Sequence, residues 1–135
     1  MAEINYPGVL DRIKAMVTDS IVIIFFMFFI TYIFSNFESV PDYARITAIL
    51  FVFVLYDPLF TSVFGGTIGH MMLGIRVKKE SNENQNISFL SAVIRFIVKV
   101  LLGVISFLTV SNNDKRKALH DKLVGSVVIY ANKKN

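Results

Sequence analysis

The chain has 135 residues, 54% of them hydrophobic and 18% charged, with a formal net charge of +4 and no cysteine. The length leaves room for one small domain, so residues 1–135 are read as a single membrane domain, and the missing thiol excludes disulfides and thiolate catalysis. The apolar residues gather in three blocks, near Ile21–Phe34, Ile46–Phe64 and Phe89–Val110, which points to a bilayer rather than a soluble core.

In chain order, Met1–Met16 is long and mixed, and no small-residue cleavage site closes the block behind it, so that block is read as a retained helix. Helix one is expected at about residues 12–34, roughly 33 Å long and enough to span. Ser35, Asn36, Glu38, Pro41 and Asp42 make a short polar turn, and helix two follows at about residues 43–64 with Pro58 inside it. Gly65 and Gly66 end that helix. Ile75 and Val77 alternate with Arg76 and Lys78, as in a strand, and Ser81–Asn86 is a polar loop. Ser88 is placed to cap a third apolar segment, about residues 89–110, which carries Arg95, Lys99 and Gly103. A tail of residues 111–135 ends in a β-branched run, Val124–Ala131, that reads as a strand. The fold class expected is an all-α membrane protein. It has two or three transmembrane helices, an interfacial or re-entrant helix, and a short cytoplasmic two-stranded β element.

Basic residues orient such a chain, because they stay cytoplasmic. Arg12 and Lys14 precede helix one. Arg76, Lys78 and Lys79 follow helix two. Lys115, Arg116, Lys117, Lys122, Lys133 and Lys134 fill the tail, and only Arg45 lies near the first loop. The expected location is therefore the cytoplasmic (inner) membrane, multi-pass, with the N-terminus inside. The third segment leaves two readings open. Either it crosses and carries the most basic stretch outside, or Ser88–Lys99 lies in the interface, with Arg95 and Lys99 on its polar face, and the tail stays inside. Pairing of Ile75–Lys79 with Ser126–Ala131 favours the inside tail, because a lone strand is unstable.

Three segments resemble the RDD family of small prokaryotic membrane proteins, named for one arginine and two aspartates. The first is Arg12-Ile-Lys-Ala-Met-Val-Thr-Asp19. The second is Gly66-Thr67-Ile-Gly69-His70-Met-Met-Leu-Gly74-Ile-Arg-Val77, similar to a G-x-T-x-G-K-x-x-x-G-x-x-V segment after helix two. The third is His120-Asp121-Lys-Leu-Val-Gly-Ser126-Val-Val128, similar to an H-D-x-x-x-G-T-x-V ending. The resemblance implies that Arg12, Asp19 and Asp121 are the signature residues and suggests transport of unknown ligands. His70 stands where that pattern has lysine, and Ser126 where it has threonine.

Charges inside apolar spans are the sharpest functional lead, since a carboxylate in hydrocarbon must be paired, protonated or hydrated. Asp19 lies seven residues beyond Arg12, on the same helix face and about 10 Å deeper. Asp57 and Arg95 fall at similar depth, which predicts an Asp19–Arg95–Asp57 layer with Lys99 one turn on. Its functional reading is a proton or cation site; its other reading is a salt bridge that locks the bundle. Asp57-Pro58 raises the same choice between a broken-helix ion site and a passive kink. Gly66, Thr67, Gly69 and Gly74 read as a turn motif at the membrane surface rather than a phosphate loop. His120 and Asp121 read as a tail anchor, with Arg12 or Arg76 as the partner. His70-Met71-Met72 is a soft-ligand set with no second cluster to support it, so no metal and no cofactor is expected.

No nucleophile–base arrangement is visible, so the chain is expected not to be an enzyme. Two classes remain. One is an accessory or oligomeric membrane component, and the other a transporter or ion-handling protein that acts as an oligomer, because so few spans cannot enclose an alternating-access path. The expected partners are the lipid bilayer and further copies or other membrane proteins. Nucleic acid is not expected, because the modest positive charge is already used by topology.

Overall fold

In the computed structural model, which describes residues 4–131, two long helices form a hairpin. They are α1, Val9–Ser35, and α2, Asp42–Phe64. At 1.5 Å per residue α1 is about 40 Å long and α2 about 35 Å, each enough to cross hydrocarbon. The first starts three residues earlier than its apolar pattern suggests, and both span-like segments are otherwise where the sequence puts them. Pro58 lies inside α2 without ending it. Lys133 and Lys134, used above to orient the tail, fall outside the described residues.

The helices are inside out by the standard of soluble proteins. The buried residues of α1 are Arg12, Ala15 and Asp19, three and four apart on one stripe, while Phe25, Phe28 and Tyr32 are 65%, 73% and 68% exposed. On α2 the buried residues are Tyr56, Asp57, Pro58 and Thr61. A helix that hides its polar residues and presents phenylalanine outward has lipid as its solvent. With the third apolar segment, three helices are long and apolar enough to span, and the chain is an integral membrane protein.

Gly65 ends α2 in the left-handed region, at φ 77°, where its N–H meets the Thr61 carbonyl and its own carbonyl accepts from Val77 N–H at 2.6 Å. The chain then makes a single-turn helix, α3, Ile68–Met72, and a strand, β1, Ile75–Lys79. Next come α4, Phe89–Leu102, a 3-10 helix over Gly103–Asn112, a short α5, Leu119–Val124, and β2, Ser126–Tyr130. Ser88 caps α4, accepting from Ser91 N–H at 3.2 Å. The strands pair antiparallel in the register Ile75↔Tyr130, Val77↔Val128 and Lys79↔Ser126. Ile75, Val77 and Val128 pack with Ala15, Ile87 and Ala92 in a small core between the sheet and the helix ends.

That pairing decides the path of the third segment. The chain leaves the sheet at Lys79 and rejoins it at Ser126, so both ends of the segment lie on one side. α4 extends about 21 Å. Gly103, at φ 54°, redirects the chain, and the 3-10 helix covers about 20 Å more. This limb brings Ser106 and Phe107 onto His120 of α5, with the Phe107 and His120 rings edge-on at 5.5 Å. The segment therefore turns at Gly103 and brings both of its ends to the sheet side of the molecule. Arg95 is 1% exposed and faces the bundle, where its guanidinium reaches Asp121 and Asp57. The N-terminal end lies at the same face as the sheet: Tyr130 N–H donates to the Asn5 carbonyl at 3.1 Å, and the Tyr130 hydroxyl donates to Asp11.

Candidate functional site

Five charged side chains form one continuous array between the sheet and the spans. Asp121 is fully buried at its centre. Arg12 Nη1 donates to its Oδ2 at 2.6 Å and Arg95 Nε to its Oδ1 at 3.0 Å. Its remaining lone pairs take Ala118 N–H at 3.2 Å and the Ser126 hydroxyl at 3.2 Å. Arg12 is anchored a second time, through Nη2 to the Arg116 carbonyl at 2.6 Å. From Arg95 the array runs on to Asp57, whose Oδ1 lies 3.9 Å from Arg95 Nη1. Lys99 Nζ donates to the other oxygen of Asp57, and the Thr61 hydroxyl, one turn along α2, donates to Oδ1 at 3.2 Å. Burial by itself would raise the Asp121 carboxyl, but the Arg12 and Arg95 guanidinium groups more than offset it, so the group is held well below the usual carboxylate range.

Asp19 stands beside this array, not in it. The expected Asp19–Arg95 pair is absent, and the layer is Arg12–Asp121–Arg95–Asp57–Lys99. Both oxygens of Asp19 are taken by neutral donors. Oδ1 accepts the Tyr56 hydroxyl at 2.8 Å and Gly69 N–H at 2.8 Å, and Oδ2 accepts the Thr67 hydroxyl at 2.6 Å. Ile68 N–H in turn donates to the Tyr56 oxygen at 3.1 Å. Three converging donors hold a carboxylate as well as one cation does, because each supplies a directed dipole in a site without water.

The turn motif builds that cradle. Thr67 caps α3, accepting from His70 N–H at 3.3 Å, while its hydroxyl hydrogen points to Asp19. His70 Nδ1 lies 2.6 Å from the same hydroxyl oxygen and 3.4 Å from Thr67 N–H, which closes a capping box over the start of α3. Gly69 lies against α1: a Cβ built on it would be 2.8 Å from Asp19 Cγ and closer still to the Ala15 carbonyl oxygen. Gly74 plays another part, turning α3 into β1 at φ 68° with no heavy atom near the missing side chain. Gly66 simply continues the chain from α2 to Thr67.

Asp121 has Arg12 rather than Arg76 as its partner; Arg76 bonds to its neighbour's carbonyl. His120 is fully buried, and burial first, then nearby Arg95, lower its pKa to about 3. His70 is pushed down to about 3 by burial and by Arg95 and Lys99. Both imidazoles are therefore neutral at pH 7. Residues not singled out in the sequence complete the site: Tyr56, Thr61 and Ser106. Each is a hydroxyl in or beside an apolar stretch, and that was the signal, since a buried hydroxyl needs a partner. Among the described residues, no group of three or more His, Asp or Glu side chains is placed to hold a metal ion.

No curated protein and no solved structure matches this chain. The sequence profile of the RDD family matches residues 6–125, a stretch that holds Arg12, Asp19 and Asp121 and stops one residue short of Ser126. With that match over most of its length, the chain belongs to the RDD family.

Proposed function

We propose that this protein is a non-enzymatic component of the cytoplasmic (inner) membrane that works with further copies of itself or with other membrane proteins. On this reading its charged layer locks a two-span hairpin to a re-entrant third segment. The observation that supports it is charge closure. Arg12, Arg95 and Lys99 balance Asp19, Asp57 and Asp121, and each carboxylate already has two or more donors. A layer so satisfied is suited to holding helices in place. The apolar outer face of α1 and α2 is then free for lipid and for other helices.

The ion-handling reading is favoured by one feature, a small polar cavity bordered by Asp19 and Lys99. Proteoliposomes loaded with pH- and sodium-sensitive dyes separate the two. No flux above that of empty liposomes is expected. Flux that Asp19→Asn abolishes would overturn the proposal.

The orientation we infer has the N-terminus, the sheet and the tail inside and residues 36–41 outside. Arg12, Lys14, Arg76, Lys78, Lys79, Lys115, Arg116, Lys117 and Lys122 cluster at the sheet end, which suits the cytoplasmic face. The chain has no cysteine, so single cysteines report cleanly. In intact cells an impermeant maleimide is expected to label Asn36→Cys at once and Lys122→Cys only after permeabilisation. The opposite pattern, or Lys122 and Lys78 on different sides, would reject the topology.

A further inference from the structure

Two basic side chains meet at the end of α2 with no acid between them. Arg76 and Lys78 alternate along β1 with the core residues Ile75 and Val77, so both project from its other face. They reach over Gly65, the residue that ends α2. A Cβ built on Gly65 would lie 3.3 Å from Lys78 Nζ and 3.5 Å from Arg76 Cδ, so the two side chains converge on one point.

Each is held in place by one neutral acceptor. Lys78 Nζ donates to Asn86 Oδ1 at 2.6 Å, and the Asn86 amide donates in turn to the Val63 carbonyl at 3.0 Å. Arg76 Nη1 donates to the Ile75 carbonyl at 2.9 Å. These are the only hydrogen bonds that either side chain makes among the described residues, which leaves two ammonium and four guanidinium hydrogens over. The charges are unanswered as well. No ion pair among the described residues includes Arg76 or Lys78. Nearby acids are turned elsewhere: Asp11 accepts from Tyr130, and Glu80 takes Lys115 and Lys117. The end of α2 supplies about half a negative charge, so more than one positive unit stays uncancelled. Burial first, and the Arg76 charge second, lower the Lys78 pKa, and an anion would relieve the second of these.

The surroundings decide which anion fits. Val63 and Phe64, the last residues of α2, are each more than half exposed, at the level where the helix leaves hydrocarbon. A free phosphate gains nothing from apolar neighbours, whereas a phospholipid covers them with its acyl chains. We propose that Arg76 and Lys78 bind the headgroup phosphate of one anionic phospholipid at the corner between α2 and β1, with Val63 and Phe64 against its acyl chains. The site goes beyond the function proposed above. It needs only the membrane setting and holds whether or not the charged layer moves ions.

The test is the unfolding temperature of the full chain in dodecyl maltoside micelles, titrated with phosphatidylglycerol, phosphatidylcholine or inorganic phosphate. Phosphatidylglycerol is expected to raise it by about 5 °C at 100-fold excess over Kd, saturating as a single site does, and the other two to leave it unchanged. Arg76→Gln with Lys78→Gln removes both charges but keeps hydrogen-bonding side chains, and is expected to weaken phosphatidylglycerol binding at least tenfold. Lys14→Gln with Lys122→Gln removes as much charge from exposed positions at the same end, and is expected to leave that affinity unchanged. If the first variant fails to fold, the wild-type protein cross-linked to phosphatidylglycerol with a photoreactive headgroup decides alone. Adducts concentrated on residues 63–78 support the site. Adducts spread over the other basic residues of that face, an equal shift with inorganic phosphate or phosphatidylcholine, or equal loss in the two double variants would overturn it.

Discussion

Replacing Asp121 with asparagine is expected to destabilise the fold by about 3–5 kcal/mol, more than any other single polar substitution in the layer. The amide has nearly the shape of the carboxylate, so packing against Ala118 and Ser126 survives. What goes is the charge shared by two guanidinium groups, and Arg12 then has no carboxylate within reach, because Asp19 is held by Tyr56, Thr67 and Gly69. Arg95 keeps Asp57, but only at 3.9 Å and in competition with Lys99. Removing one partner of a buried pair leaves the other uncompensated, whereas removing both is far better tolerated. The double variant Arg12→Met with Asp121→Leu is thus expected to lose less than the two single changes summed. Reversible unfolding in mixed detergent micelles measures each. Full additivity, or a cost below about 1 kcal/mol for Asp121→Asn, would mean that the array carries no mutual stabilisation.

Gly69→Ala is expected to cost about 2–3 kcal/mol for a different reason. The added methyl group meets the Ala15 carbonyl and lies 2.8 Å from Asp19 Cγ. A backbone carbonyl inside α1 cannot turn aside, so α3 must lift away. That movement breaks the Gly69 N–H bond to Asp19 and weakens the Thr67 and Tyr56 bonds beside it. Gly74→Ala is the comparison. No heavy atom lies within 4 Å of the position, so its cost is only that of a side chain in the left-handed region, about 1 kcal/mol. Thermal unfolding of the two variants should rank Gly69→Ala well below Gly74→Ala. The reverse order would mean that α3 does not rest on α1 as described.

The spans were legible because an apolar run of that length has one stable setting, a bilayer-crossing helix. The two strands were legible from alternation and from the need of each for a partner on the same side. α3 and α5 were not, since a helix of five or six residues completes too few turns to show a period. Counting residues placed Asp19, Asp57 and Arg95 at one depth, and the structure does gather them around one region. Depth alone says nothing about which way a side chain turns, however. Asp19 faces α3, because Gly69 lets that helix approach and three neutral donors arrive with it. Arg95 faces Asp121, a residue the sequence reading placed in the tail and paired only with Arg12 or Arg76. The third segment left two readings open for a related reason: its apolarity suits a crossing, while the pairing expected of the strands on either side of it brings both its ends to one side.

The reach of the Arg12–Asp121 bond has a consequence for how the molecule is made. Its two residues are 109 positions apart, and β2 lies later still in the chain. A ribosome delivers α1 and α2 early, and these can enter the bilayer as an ordinary hairpin. α4 follows carrying Arg95 and Lys99, and of their two partner carboxylates only Asp57 has by then been made. Asp121 and the strand that returns the chain to the sheet emerge only after all of these. The full set of contacts to the third segment can therefore form only once Asp121 and β2 have left the ribosome, well after α4 itself.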